Sequence, residues 1–258
     1  MYKTTDIAVV GSDPRLYYCV ERLRSKGIPA VQYAESAIPD GASCYLFAPP
    51  FSAARLTNTA FAKNGATVFA GAADDEAKAL ITSRGAALID YCESEFFAAE
   101  NADLTAEAAI TVYTGASATS LKGAKVLVSG FGRIGKALAP RLRAFGADVT
   151  ASARKIADIE LIRACGCTPL ETAAIRGDYD VIFNTVPARV FTRDITDRTK
   201  TKYYIELASA PFGTESQAVW SAGTKVIRAS GLPGKVLPVS AGRLIADAVC
   251  TILEEARI

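Results

Sequence analysis

One pattern recurs along the chain. A helical stretch closes on a glycine and a short apolar run follows at once: Ile28–Val31 after Gly27, Ala66–Phe69 after Gly65, Ala86–Ile89 after Gly85, Ala147–Val149 after Gly146, Cys167–Leu170 after Gly166 and Thr224–Ile227 after Gly223. Glycine ends a helix because, without a Cβ, it takes the left-handed conformation at no steric cost. A strand straight afterwards is the αβ step of a parallel sheet.

The complementary βα steps lie between. Apolar runs at Asp6–Val10, Ser43–Ala48, Lys125–Ser129, Asp180–Phe183 and Tyr203–Leu207 each enter a loop of small or turn-forming residues. Helices are predicted from Pro14 to Lys26, over Ser52–Asn64 and from Lys136 onward. Pro140 is expected to kink or shorten that last helix, since proline removes a backbone donor. Thr105–Val112 is Ala-rich and helical, and Gly115–Ser120 is a small-residue stretch suited to a hinge. Ala241–Arg257 carries Leu244, Ile245, Ala248, Val249, Ile252 and Leu253 at helical spacing. The pattern predicts an α/β chain of two doubly wound, Rossmann-like domains with an interdomain cleft and a C-terminal crossover helix. The first domain is residues 1–100, completed by 238–258. A linker helix and hinge cover 101–122, and the second domain is 123–237.

Composition narrows the chemistry. Half of the 258 residues are hydrophobic and 22% are charged, enough to bury a core and to exclude a disordered chain. Histidine is absent, which excludes His triads, His metal sites and His general acids. A net charge of +2 makes no case for nucleic acid. Residues 1–115 hold 9 Lys+Arg against 14 Asp+Glu, and the remainder 20 against 13. Either the basic half meets an anion or the surface charge drifts. The six cysteines form no C-x-x-C and, without His, no zinc pattern, so no metal is expected. They read as buried hydrophobes in a reducing compartment. With no leader pattern and no long apolar span, a cytoplasmic protein is expected.

Gly130-Phe131-Gly132-Arg133-Ile134-Gly135 is G-x-G-x-x-G, preceded by a predicted strand and followed by a predicted helix. In that setting Gly130 makes the tight turn and Gly132 lets a pyrophosphate reach the backbone. Gly135 lets helix and strand touch. The next strand ends in Ser152-Ala153-Arg154-Lys155, with no carboxylate for a ribose and two cations instead. Ser152, Arg154 and Lys155 suit the 2′-phosphate of NADP; the alternative is a solvated loop. Asn184-Thr185-Val186-Pro187, Leu207-Ala208-Ser209 and Gly231-Leu232-Pro233-Gly234-Lys235 stand at the other strand ends, where such folds bind ligands. As bland turns these need no function.

Taken together these residues resemble the dehydrogenase, or A-type, subunits of dipicolinate synthases. The likeness is carried by the G-x-G-x-x-G segment, Ala151–Arg154, Asn184–Pro187, Leu207–Ser209, Gly231–Gly234 and Pro238–Gly242, with Val10–Arg15 and Thr105–Glu107 in the first half. It implies NADP-dependent oxidation of dihydrodipicolinate to dipicolinate in spore formation. It also implies a homo- or hetero-oligomer whose other member is the flavoprotein-like, B-type partner of such synthases. The cofactor residues would be Gly130, Gly132, Arg133, Ile134, Gly135, Ser152, Arg154, Lys155, Asn184, Thr185, Val186, Pro187, Leu207, Ala208 and Gly231. The dicarboxylate needs cations, for which Arg15, Arg133, Arg189, Lys235 and Arg243 are candidates, and Asp13, Ser209, Leu232 and Pro233 would line the site beside them. Without His, Glu107 is the candidate base; as a first-turn residue it would equally serve the helix dipole. Asp13 reads equally as an N-cap ahead of Pro14. Two rivals remain. One is a D-2-hydroxy-acid-type dehydrogenase, whose usual His acid is missing here. The other is a non-catalytic, NADP-binding regulatory protein.

Overall fold

The computed structural model describes residues 6–55, 61–63, 65–214 and 220–255. They form two compact units, Met1–Asn101 with Leu237–Ile258, and Ala102–Val236.

The first unit holds β1 (Ile7–Val10), α1 (Pro14–Ser25), β2 (Ala30–Tyr33), β3 (Cys44–Phe47), β4 (Thr67–Ala70), α2 (Asp75–Ser83) and β5 (Ala87–Asp90). Its sheet has the order β2-β1-β3-β4-β5, with every pairing parallel. β1 and β3 are buried along their whole length, as strands covered on both faces must be. Tyr45, Phe47, Phe51 and Phe61 pack as neighbouring rings in the core. The helix expected over Ser52–Asn64 is only partly within the described residues. There Ala53–Arg55 make one 3-10 turn, and Ala62 has φ of 57°, which no α-helix tolerates. The stretch before Gly223 likewise falls partly outside them.

α3 (Glu95–Ser117) is one continuous helix of 23 residues. This corrects the short linker helix and separate hinge: Gly115–Ser117 are still helical, and the break comes at Ala118, with φ of 52°.

The second unit carries β6 (Lys125–Ser129), α4 (Arg133–Ala144), β7 (Asp148–Ala153), α5 (Ile156–Ala164), β8 (Thr168–Glu171), β9 (Gly177–Asn184), α6 (Arg193–Asp197), β10 (Thr199–Glu206), β11 (Lys225–Arg228) and α7 (Leu232–Val236). The strand order is β11-β10-β9-β6-β7-β8, again all parallel. Phe191, Tyr204 and Trp220 stack within 4.8–5.2 Å of one another on one face of this sheet. α4 runs through Pro140 to Ala144, so the helix is not cut short at the proline. Leu138, Ala139 and Leu142 are fully buried on either side of the proline, so packing overrides the lost bond.

α8 (Pro238–Glu255) returns the chain to the first unit and packs on α1. The crossing point is Gly242, where a Cβ would stand 2.1 Å from Arg15 O and 2.9 Å from Tyr18 Cβ. Asp247 on α8 binds Arg22 of α1 at 2.9 Å and Lys26, which caps the end of α1, at 2.8 Å. Burial works to raise the Asp247 carboxyl, but the two cations outweigh it and hold it below the ordinary range. Replacing Gly242 with valine forces these helices apart. A loss of about 1–3 kcal/mol is expected for such overpacking. Urea unfolding checks this, and an unchanged midpoint would show that the helices do not meet there.

Candidate dinucleotide site

The second unit's sheet reverses its order between β6 and β9, and ligands of open α/β sheets bind at the carboxyl ends of such a pair. The turn after β6 is built around its glycines. Gly130 has φ of 94°, and a Cβ there would lie 2.5 Å from Val186 Cγ2 and 2.6 Å from Thr185 Oγ1. At Gly135 a Cβ would lie 2.2 Å from Gly130 O, so the helix can only rest on the turn through a bare backbone. Gly132 differs from both: nothing stands within 4 Å of its Cβ position. It is the N-cap of α4 and offers no side chain to the first-turn N–H groups. Open space before uncapped helical amides is what a phosphate group occupies. Arg154 and Lys155 follow β7, both exposed, and no carboxylate stands among residues 149–157. These groups fit a phosphate-rich dinucleotide.

Behind the turn lies a buried carboxylate that sequence reasoning missed. Glu206, the last residue of β10, is 1% exposed. Its Oε1 accepts from Asn184 Nδ2 at 2.7 Å and from Ala208 N at 3.2 Å. Its Oε2 accepts from Tyr204 OH at 2.7 Å and from Gly213 N at 2.8 Å. Four donors around one side chain suit an acceptor-only carboxylate. Burial first, then the charge and bond of Glu206, push the Tyr204 phenol far above its usual range. Asn184 Nδ2 also donates to Val186 O at 2.9 Å. Thr185 N and Oγ1 both donate to Ser129 O, at 2.9 and 3.0 Å. Glu206 is therefore tied, through Asn184 and the 185–186 backbone, to the wall of the Gly130 turn. The available signal was a lone acidic residue closing an apolar strand two places after a tyrosine.

Three comparisons bear on this arrangement. Residues 86–203 match the family model "D-isomer specific 2-hydroxyacid dehydrogenase, NAD binding domain", a nicotinamide-nucleotide-binding type. The chain is 30% identical over 172 residues to the A-type subunit of dipicolinate synthase from Bacillus subtilis (strain 168), an alignment covering 65% of this chain and 58% of that protein. This chain is a homologue of the dipicolinate synthase A-type subunits. Its fold is that of their crystal structures from Bacillus halodurans and from Bacillus subtilis. Both give a TM-score of 0.82 at 23% identity, covering 98% and 100% of this chain and 99% and 98% of theirs.

In this dipicolinate synthase homologue the structure brings Gly130, Gly132, Gly135, Thr185 and Val186 together at one turn. Arg133 and Ile134 open α4, exposed and half-buried respectively, and Pro187 and Arg189 are exposed beyond β9. Several candidates are placed otherwise. Ser152 is fully buried and its Oγ receives Gly130 N–H at 3.4 Å, so it supports the turn from below rather than facing a 2′-phosphate. Asn184 is fully buried, as are Leu207 and Ala208 nearly so, and Ala208 spends its amide on Glu206. Leu232 and Pro233 are buried in α7, which replaces the expected turn, and Gly231 precedes it with φ of 66°. Lys235 is exposed on α7 and donates to Ser230 O at 2.8 Å, just ahead of that helix. Ser209 is exposed after β10, and Arg243 is exposed on α8 of the first unit.

Asp13 and Arg15 bind each other, at 2.8 Å through Nε and 2.7 Å through Nη2. Asp13 also caps Arg15 N at 2.9 Å, and Arg15 reaches Pro49 O at 2.5 Å. The pair fastens the start of α1 to the end of β3, which accounts for both residues without a substrate. Glu107 is exposed, but it lies three turns into α3, so the first-turn helix dipole does not explain it.

Glu206→Gln tests the buried cluster. An amide NH₂ turned towards Tyr204 lets that hydroxyl accept instead, but Gly213 N–H is then orphaned. A loss of about 1–3 kcal/mol is expected from one unsatisfied buried donor. Thermal or urea unfolding measures it; an isosteric exchange that cost nothing would mean the four donors do not require a carboxylate.

Proposed function

We propose that this chain oxidises a dihydrodipicolinate ring to dipicolinate with NADP⁺ as acceptor. The observation that carries the substrate is the 172-residue match to a dipicolinate synthase A-type sequence. The cofactor choice is supported by the open helix mouth at Gly132 and by Arg154 and Lys155, exposed at the end of β7. When bound, the nicotinamide accepts a hydride from one ring carbon. The neighbouring ring position gives up a proton, so each turnover releases dipicolinate, NADPH and H⁺.

The α4 amides and Gly132 would hold the pyrophosphate, and Arg154 and Lys155 the 2′-phosphate. The strand order supports extending the nicotinamide the other way, towards the ends of β9 and β10. Glu107 is the base we assign, since the chain has no His. Aromatisation supplies the driving force, so an ordinary carboxylate suffices. The flavoprotein-like, B-type component of dipicolinate synthase is the proposed partner.

The test follows NADP⁺ reduction by nicotinamide absorbance, with the product of dihydrodipicolinate synthase generated in place, with and without that B-type partner. NADPH and dipicolinate appearing together are expected. Tight NADPH binding without turnover would replace the enzyme by a regulatory protein. Replacing both Arg154 and Lys155 with alanine should raise KM for NADP⁺ by about 10²–10⁴-fold and leave NAD⁺ nearly unchanged, since each charge-assisted bond contributes roughly 1.5–3 kcal/mol. Glu107→Gln should lower kcat by about 10²–10⁴-fold with dinucleotide affinity retained.

A further inference from the structure

Four described non-glycine residues have positive φ. Three are alanines and the fourth is Phe212, at 62°. A bulky side chain in that region is strained, and it persists only where its surroundings hold it. Here they do. Phe212 N donates to Ser209 O at 3.1 Å, and Gly213 N donates to the buried Glu206 at 2.8 Å. Gly213 O accepts from Val190 N and Phe191 N at 3.1 and 2.8 Å.

The strain places the ring under a cation. Arg228 ends β11 and is exposed, and its guanidinium carbon lies 4.6 Å from the Phe212 ring centroid. Its backbone is set by pairing with Glu206 and by Ala229 N donating to Glu206 O at 2.8 Å. No ion pair forms at Arg228 among the described residues, and all four donors of Glu206 come from elsewhere. A guanidinium lying on an aromatic face keeps its N–H edge for an in-plane, two-oxygen acceptor. This edge stands at the carboxyl end of the sheet, the same end as the glycine turn. It lies three strands from β6, roughly 14 Å at ordinary strand spacing, and on the side away from Arg154 and Lys155.

We propose that Arg228, shelved on Phe212, binds a carboxylate of a small planar dicarboxylate. The assignment rests on the reading above, in which such a substrate meets the nicotinamide beyond β9 and β10. Phe212 acts as a positioning residue whose strained backbone holds the guanidinium still.

Isothermal titration of the full chain with pyridine-2,6-dicarboxylate, in saturating NADPH, tests it. Arg228→Ala should weaken binding 10–100-fold and leave the NADPH affinity unchanged, with Arg228→Lys intermediate. Phe212→Gly should weaken binding several-fold while the Tm stays level or rises, because glycine accepts this backbone freely. Equal binding by wild type and Arg228→Ala overturns the proposal while leaving turnover, and so the proposed reaction, intact. Absence of binding by any of pyridine-2,6-dicarboxylate, malonate and glutarate to the wild type overturns it as well, and so does equal competition by inorganic phosphate. A sharp fall in Tm for Phe212→Gly would make the ring structural and remove its positioning role. If another dicarboxylate binds through Arg228 and dihydrodipicolinate is not turned over, the site stands and the substrate reading falls.

Discussion

The end of the second sheet depends on a single carboxylate kept out of water. Burying Glu206 removes its hydration, and only a full set of donors offsets that loss. The donors come from β9, from β10 and from the loop that follows β10. Those segments cannot move independently while the carboxylate stays satisfied. The loop after β9 forms the wall on which Gly130 rests, so the shape of the glycine turn follows from a group that never touches it. A carboxylate can lie beneath the proposed phosphate site because its oxygens are spent on neighbouring donors.

Most of the architecture could be read from the chain, because parallel sheets buried on both faces leave a strong trace. Runs such as Lys125–Ser129 are too apolar to be surface strands, and Gly85, Gly146 and Gly166 each stand within two residues of an observed helix end. The element boundaries were less visible. α3 extends ten residues before Thr105: Glu95, Ala98, Ala99, Glu100 and Ala102 favour a helix there, but Asn101 and Asp103 among them blur the alanine signal that is plain only after Thr105. The helix stop expected at Pro140 failed for the opposite reason. Local chemistry opposed a helix there, and burial of the residues on both sides decided the matter.

The site was legible where backbone geometry carries it and obscure where partners do. Three glycines at fixed offsets announce a turn whatever surrounds them. Arg15 looked like a substrate cation because a sequence does not show which charges cancel; here Asp13, two residues earlier, takes it. Ser152 looked exposed because it ends a strand, but β7 continues one residue further and draws its side chain under the turn. Glu206 and Arg228 occupy matching positions on adjacent strands, and that pairing is visible only once the register is known.

The return of α8 to the first unit also bears on how the chain is made. The first unit draws on residues up to Asn101 and then on Leu237 onward, so all of the second unit is inserted within it. During synthesis every strand of both sheets has emerged before the helix that covers α1. The second unit can close while the first still exposes the apolar face of α1, with Leu16, Cys19, Val20 and Leu23 awaiting their cover. A chain released before α8 is made would therefore carry a complete nucleotide-binding half joined to an unfinished, adhesive one.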